Sequence, residues 1–160
     1  MESFDAFYAS TRDRLLHEAY ALTGDIAASR SAVRDAFVLA WHHWRKVGRF
    51  ENPETWIRPV AHNMARRRHT TRPWHRDKSL DPEISATLEA LSSLSRQHRH
   101  ILVLAGLSPL SVTAIAKAVG VPQADADRAL ERAIDEFVAA RQVSEAEISD
   151  LLMALRRPIA

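Results

Sequence analysis

Apolar residues recur at three- and four-residue steps along most of the chain, and this spacing is typical of amphipathic helices. The first apolar stripe covers residues 4–22 and predicts one helix. Gly24 and Asp25 follow it, and they combine a residue that often closes a helix with one that often caps the next. A second stripe covers residues 26–47, where we expect Gly48 to stop the second helix.

A third helix is predicted to begin at Asn52 and Pro53, because asparagine caps helices and proline fits their first turn. We expect this helix to end near Arg68. Pro59 lies inside it and should kink it or belong to its first turns. Residues 71–81 show no periodicity and are charged and turn-prone, so they predict a linker between two helical bundles.

The second half of the chain begins with the same start signal, at Asp81 and Pro82. The pattern that follows predicts a fourth helix over residues 82–94 and a fifth over residues 95–105. We expect Gly106 to close the fifth helix, since glycine is common just after a helix end.

A short helix over residues 111–120, a tight turn over 121–123 and a longer helix over 124–140 then follow. This order is the helix-turn-helix pattern of many DNA-binding proteins, although other all-α proteins have similar corners. Ser144 and Glu147 form a capping box that opens a terminal helix. The apolar face of that helix needs a partner, so it could pack on the second bundle, cover the first or lead into a further domain.

These patterns predict an all-α protein of two small helical bundles joined by a linker, the second with a helix-turn-helix. We expect a first domain at 1–70, a linker at 71–81, a second domain at 82–142 and a C-terminal helical extension at 143–160. Four glycines among 160 residues are too few for a turn-rich β fold. The absence of cysteine excludes disulfides and thiolate zinc sites, and it suits a cytoplasmic location, which we expect.

The net charge of +2 conceals an uneven distribution. Between His42 and Lys78 there are ten Lys and Arg residues against three acidic ones, and Trp44, Trp56 and Trp74 lie in the same stretch. Cations neutralise phosphates and aromatic faces stack on unpaired bases, so the stretch indicates nucleic-acid binding. The alternative is a solvated helix face whose tryptophans belong to the core.

Five passages have the order and spacing of a known family: residues 20–25, 36–41, 52–57, 91–99 and 110–122. Together they resemble bacterial sigma factors of the extracytoplasmic-function group, over about residues 4–140 of the chain. The resemblance implies two helical domains, called region 2 and region 4, joined by a flexible linker. It also implies a protein that binds RNA polymerase core and directs promoter recognition and opening at transcription initiation.

Three sets of site residues are implied by the resemblance. The set expected to bind polymerase core is Arg34, Asp35, Phe37, Val38 and Trp41. The set expected to bind the −10 element is Arg45, Lys46, Arg49, Phe50, Trp56, Asn63, Arg66 and Arg67. The set expected to bind the −35 element is Gln123, Arg128 and Arg132. For Phe37, Trp41 and Trp56, packing in the core is the alternative.

Two departures from the family pattern bear on function. Arg30 and Arg34 stand where the family usually has an acidic residue and a glutamine. In the second helix of the helix-turn-helix, Asp127 and Ala129 replace basic residues, and acidic side chains repel phosphates. Two hypotheses remain: a working sigma factor with a weakened −35 contact, or a sigma-like adaptor whose acidic region 4 binds a protein partner.

The remaining expectations concern regulation and chemistry. The resemblance implies control by an anti-sigma protein or by a fused inhibitory domain. We expect no enzymatic activity, cofactor or metal site. The histidines between His42 and His75 have no carboxylate or second histidine at the helical spacing that metal ligands require. We also expect no membrane segment, since the longest apolar runs are too short to span a bilayer.

Overall fold

The structure is a computed structural model that describes residues 1–70 and 79–160. The chain divides into two compact units, Met1–His75 and Arg76–Ala160. All regular secondary structure in the described residues is helical, which confirms the predicted all-α class. None of the described helices is both long enough and apolar enough to cross a membrane. Most of the predicted linker, residues 71–78, lies outside the described residues.

The described part of the first unit contains α1 (Phe4–Thr23), α2 (Ile26–His42), α3 (Trp44–Val47) and α4 (Pro53–Thr70). Helices α1, α2 and α4 pack pairwise against one another. Ser3 caps α1 and Asp25 caps α2, each by accepting a hydrogen bond from a first-turn backbone N–H, at 3.1 Å and 2.9 Å. The cap that the sequence predicts at Asp25 is therefore confirmed.

The second helix ends earlier than the sequence predicts. One helix is expected up to Val47, but α2 ends at His42, and His43 leaves the helical conformation with φ −108° and ψ 18°. The chain then makes the single turn of α3. Apolar packing continues across this break, because Val47 is buried and the Trp44 ring stacks on Phe7 with their centroids 5.2 Å apart. Hydrophobic periodicity alone therefore does not reveal the break.

The second unit contains α5 (Pro82–Ser93), α6 (Arg96–Leu107), α7 (Val112–Val119), α8 (Gln123–Arg141) and α9 (Ile148–Ala154). Ser144 and Glu147 form the predicted capping box, which starts a 3₁₀ turn that leads into α9. The helices are arranged so that α6 packs on α7, α8 and α9. Helix α6 is thus the central element of this unit.

The corner between α5 and α6 is fixed by Arg99. Its Nε donates to the Leu91 carbonyl at 2.9 Å, and its Nη2 donates to the carbonyls of Ser92 and Leu94 at 3.2 Å and 3.3 Å. These carbonyls lie at the C-terminal end of α5, where helical carbonyls lack donors within the helix. Burial lowers the pKa of Arg99, but a guanidinium stays protonated at any ordinary pH.

Helices α7 and α8 form the predicted helix-turn-helix. Gly120 ends α7 with a φ of 81°, in the left-handed region that favours glycine. Buried side chains from α6, α7 and α8 meet in one cluster: Ile101, Leu104, Ile115 and Ala129. This cluster holds the two helices of the motif on α6.

The prediction that Gly106 closes the fifth helix is wrong, because α6 continues to Leu107 and Gly106 lies inside it. A Cβ at position 106 would lie only 2.5 Å from Cδ1 of Leu152. Leu152 and Leu155 are fully buried, and α9 packs on α6 and α5. The glycine therefore makes room for the C-terminal extension, which packs on α6 and α5 of the second bundle.

Candidate functional site

A buried ionic network joins α1 to α4. Glu18 on α1 is fully buried, and its Oε1 lies 3.0 Å from Arg58 Nε and 3.0 Å from His62 Nε2. Glu54, one turn before Arg58, pairs with both Arg58 and Arg14. Buried charges are tolerated when they are paired and hydrogen-bonded, so the network fixes one face of α4 against α1.

Burial lowers the pKa of His62, whereas the hydrogen bond to Glu18 acts in the opposite direction. The ring is neutral near pH 7, and its Nε2–H donates to Glu18, because a carboxylate can only accept. Sequence reasoning missed this network, since Glu18 stands 40 residues before Arg58 and 44 before His62, and Arg14 stands 40 residues before Glu54. The one available signal is that Arg58 and His62 stand four residues apart and each follows a core residue, Ile57 and Ala61.

The face of α4 opposite the network carries candidate −10 residues. Trp56, Asn63 and Arg67 are separated by seven and four residues and therefore share one side of the helix. Asn63 and Arg67 are exposed, and Trp56 is half-buried. Arg66, also half-buried, donates from Nη1 to Asn63 Oδ1 at 3.4 Å. The face thus offers an aromatic surface, an amide and cations.

The segment between α2 and α4 supplies the other candidate −10 residues. Arg45 and Lys46 lie on α3, and Arg49 and Phe50 lie in the loop that follows. All four side chains are exposed. An exposed phenyl ring among cations suits a nucleotide, because the ring stacks on a base while the cations neutralise the phosphates.

Some cations of the basic stretch form ion pairs with acidic residues of the same chain. Arg58 belongs to the buried network. Arg68 donates to Asp35 Oδ2 at 2.7 Å and also to Ser31, so it holds α4 against α2. The predicted contribution of Trp74 lies outside the described residues. The exposed cations of the described stretch are Arg45, Lys46, Arg49 and Arg67.

Phe37, which the resemblance places among the polymerase contacts, is a core residue. It is 3% exposed, and its ring meets those of Phe7 and Tyr8 on α1 with centroid distances of 5.7 Å and 4.9 Å. Edge-on and tilted aromatic pairs at such distances are favourable. Because the ring is enclosed by its own chain, the side chain of Phe37 has no surface to offer a partner.

The other four residues of that set lie on the solvent side of α2. Val38 is 48% exposed and Trp41 is 61% exposed. Arg34 Nε donates to Asp35 Oδ1 at 3.1 Å, and Arg68 binds the other carboxylate oxygen. Arg34 first, and then Arg68, hold the pKa of Asp35 below its usual range. Asp35 is therefore ionised and already paired with two arginines of its own chain.

The helix-turn-helix of the second unit offers few cations on α8. Gln123 Oε1 accepts a hydrogen bond from Thr113 Oγ1 at 2.9 Å, which joins the start of α8 to α7. Arg128 pairs with Asp125 on its own helix, and Arg132 is exposed. The exposed side of α8 also carries acidic residues: Asp125, Asp127, Glu131 and Asp135. These carboxylates oppose the approach of phosphates to α8.

Two histidines outside the buried network, His69 and His98, lie close to carboxylates. His69 Nδ1 lies 3.2 Å from Asp25 Oδ2, and His98 Nδ1 lies 3.0 Å from Glu136 Oε2. The first pair links α4 to the start of α2, and the second links α6 to α8. Within residues 1–70 and 79–160, no group of three His, Asp or Glu residues could hold a metal ion.

The chain is an all-α protein of two units, and the second unit contains a helix-turn-helix. No protein-family model matches the chain, and no curated protein is similar enough in sequence to match it. Among solved structures, the chain is similar to the sigma factor RpoE in its co-crystal structure with the anti-sigma factor NepR from Bartonella quintana. The two are 17% identical, with a TM-score of 0.73 over 88% of this chain and 98% of that one. The expected sigma-factor fold is thereby confirmed.

Proposed function

We propose that the chain is a sigma factor of the extracytoplasmic-function type, which binds RNA polymerase core and directs promoter recognition and opening. The face of α4 with Trp56, Asn63 and Arg67 carries this proposal. Promoter opening requires a surface that holds unpaired bases, and such surfaces combine aromatic side chains with cations. The opposite face of α4 is fixed by buried ion pairs, so the candidate DNA face is rigidly supported.

The first unit would use two separate surfaces. Arg34, Val38 and Trp41 on α2 contact polymerase core in this proposal, together with Asp35. The −10 strand is bound by the α3 cations, by the loop with Arg49 and Phe50, and by the outer face of α4. Residues 1–70 correspond to region 2, 71–81 to the linker and 82–142 to region 4, with the extension at 143–160 packed on region 4. The protein works without catalysis of its own, in the cytoplasm.

The second unit carries the proposed −35 contact. Gln123, Arg128 and Arg132 would meet duplex DNA, but Gln123 and Arg128 already bind side chains of their own unit. The exposed acidic residues of α8 favour a second function for this unit, in which it binds a protein partner as an adaptor.

An anti-sigma protein is the proposed regulator. The solved sigma factor RpoE is bound to the anti-sigma factor NepR, and this chain shares its fold. A fused inhibitory segment is the alternative. The C-terminal extension buries Leu152 and Leu155 in the second unit, which favours a structural role for it over that of a detachable inhibitor.

In vitro transcription tests the proposed function. Bacterial core polymerase is incubated with the full chain and a library of promoter fragments, and the 5′ ends of the transcripts are sequenced. Start sites that depend on the chain support the proposal. The variant Asn63→Ala with Arg67→Ala should abolish them, whereas the matched control Gln97→Ala with Arg96→Ala, on exposed positions of α6, should not. Core binding without initiation would favour the adaptor, and no core binding would reject the sigma function.

A further inference from the structure

The Trp44 side chain packs on two parts of the first unit. Its ring stacks on Phe7 with centroids 5.2 Å apart and meets Phe4 edge-on at 5.6 Å, so α1 supports it. Gly48, at the end of α3, is buried and closely approaches the same ring. The indole therefore connects α1 to the backbone of the turn that follows α3.

Gly48 is required for space and not for its backbone angles. Its φ of −65° and ψ of −16° are ordinary right-handed values, which other residues adopt equally well. A Cβ at this position, however, would lie 2.8 Å from Trp44 Cε2 and 2.8 Å from the Trp44 carbonyl oxygen. Both distances are well inside the van der Waals contact distance. A side chain at position 48 would therefore displace the ring or the turn.

The same turn orients the two exposed residues that follow it. The backbone N–H of Arg49 donates to the Lys46 carbonyl at 3.2 Å, and that of Phe50 donates to the Val47 carbonyl at 3.1 Å. The backbone of both residues is thus tied to α3, although both side chains are exposed, Phe50 by 38%. A displacement of Gly48 would move Arg49 and Phe50 with it.

The far end of this loop is fixed as well. Asn52 Oδ1 accepts a hydrogen bond from the backbone N–H of Glu54 at 3.2 Å, at the start of α4. The Glu54 carboxylate pairs with Arg14 and Arg58 in the buried network. The loop over residues 48–52 is therefore anchored at both ends, and its middle is open to solvent.

We infer that Trp44 and Gly48 are positioning residues, which hold Arg49 and Phe50 ready for an unpaired nucleotide before DNA binds. In this role neither touches the nucleotide, and neither is among the site residues that the resemblance implies. The inference rests on the proposed sigma function and adds a physical origin for the affinity of the loop. A loop that is already ordered loses less conformational freedom on binding, so its affinity is higher.

The test is the affinity of the full chain, in complex with bacterial core polymerase, for a fork-junction DNA with a single-stranded non-template overhang. The DNA comes from a start site found by in vitro transcription. Gly48→Ala should raise Kd for the fork about tenfold, because the loop must then be ordered on binding. Kd for the same DNA cut back to its duplex part should stay within about twofold, since attraction to duplex phosphates remains. Ala9→Ser also adds one heavy atom, at an exposed position of α1, and should leave both affinities unchanged.

A double-mutant cycle separates positioning from a general loss of structure. Phe50→Ala should weaken fork binding in the wild type, but in the Gly48→Ala background it should change Kd by less than about twofold, since a displaced ring contributes nothing. Trp44→Leu removes the indole without adding bulk to the turn, and it should show the same non-additivity with Phe50→Ala. It keeps the test valid if Gly48→Ala does not fold, which urea titrations followed by tryptophan fluorescence check.

The outcomes separate the inference from the proposed function. If the wild type binds no core polymerase, the sigma function is rejected and the inference falls with it. If the wild type binds the fork and both Gly48→Ala and Trp44→Leu bind it equally well, the sigma function stands and the positioning role is wrong. Additive effects of Phe50→Ala with Gly48→Ala and with Trp44→Leu would show a merely structural role, and they too would overturn the inference.

Discussion

Glu18 Oε1 on α1 lies 3.0 Å from Arg58 Nε on α4, and both side chains are buried. Removing one partner of a buried ion pair leaves an uncompensated charge, which costs about 3–5 kcal/mol. Glu18→Gln should therefore lower the free energy of unfolding of the first unit by about 3 kcal/mol. This is the lower end of that range, because Glu54 still compensates Arg58.

Tryptophan fluorescence can isolate this effect, since Trp41, Trp44 and Trp56 belong to the first unit and residues 76–160 contain no tryptophan. In urea titrations of the full chain, Glu18→Gln should move the fluorescence transition to lower urea. Glu51→Gln, an exposed position in the same unit, should change the free energy of unfolding by less than about 0.5 kcal/mol. Equal transitions for both variants would show that the buried pair does not hold α4 against α1.

The stability of the first unit should also depend on pH through His62. Burial lowers the folded-state pKa of His62 below the ordinary value of 6.5. The positive charges of Arg66 and Arg58 lower this pKa further, whereas the carboxylate of Glu18 raises it in part. The unfolded chain therefore binds a proton more readily than the folded one. The contribution is complete above the unfolded pKa and is lost as the pH falls below it, by up to about 1.4 kcal/mol per pH unit.

The measurement is the free energy of unfolding from the tryptophan transition at pH values between 8 and 5. His62→Gln keeps a donor for Glu18 and should flatten the slope below pH 6.5, whatever it does to the stability at pH 8. His42→Gln, at an exposed position on α2, should retain the wild-type slope. A wild-type slope in His62→Gln would assign the pH dependence to other groups.

The helices of this protein were predictable because their apolar spacing and caps are local. Asp25, Asp81 and Ser144 all cap where the sequence predicts. The break of α2 at His43 was not predictable, because Trp44 and Val47 continue the apolar stripe after it. A glycine can mark either a helix end or a close approach of another element, and only the fold distinguishes these two cases.

The candidate site could be predicted where its residues are exposed and stand one turn apart in one helix, as Asn63 and Arg67 do. Charges that pair between helices distant in sequence cannot be recognised from local sequence patterns. Arg58 and Arg68 add to the basic count of the sequence, but both bind acidic residues of other helices. Phe37 likewise looks like its exposed neighbour Val38 until α1 covers it.

Gly106 and Leu152 should show strong energetic coupling, since a Cβ at position 106 would meet Leu152 Cδ1 at 2.5 Å. In the wild-type background, Gly106→Ala should destabilise the second unit, because overpacking costs about 1–3 kcal/mol and exceeds the helix-propensity gain of about 1 kcal/mol. In the Leu152→Ala background, the same change should stabilise it, because the space is then open.

Far-UV circular dichroism of the full chain follows this double-mutant cycle. Leu152→Ala alone should cost about 2–5 kcal/mol, as expected for a fully buried leucine. The neighbouring, partly exposed Met153→Ala should cost less than about 1 kcal/mol. The tryptophan transition should not move in any of these variants. Additive effects of the two substitutions would contradict the contact between α9 and α6.

Exposed cations of the first unit should contribute to DNA binding through counterion release. Each phosphate contact that is lost should reduce the slope of log Kd against log salt by about 0.7–0.9. Lys46→Ala and Arg67→Ala should each show this change in the complex with core polymerase, on a fork-junction DNA taken from a start site found by transcription. Lys117→Ala, at an exposed position of α7, is the control. Unchanged slopes for Lys46→Ala and Arg67→Ala would exclude these side chains from the phosphate contacts.

Asp127 lies on the exposed side of α8. Its substitution by asparagine tests whether the carboxylate repels DNA or recognises a base. If its carboxylate only repels phosphates, Asp127→Asn should raise the affinity of the polymerase complex for promoter duplex about two- to fivefold at low salt, which corresponds to roughly 1 kcal/mol or less. The gain should disappear at high salt, because exposed charges are then screened. Asp150→Asn, exposed on α9, removes the same charge away from α8 and should have no effect. An affinity that falls in Asp127→Asn would instead indicate that the carboxylate accepts a hydrogen bond from a cytosine amino group, and α8 would then read sequence through an acidic side chain.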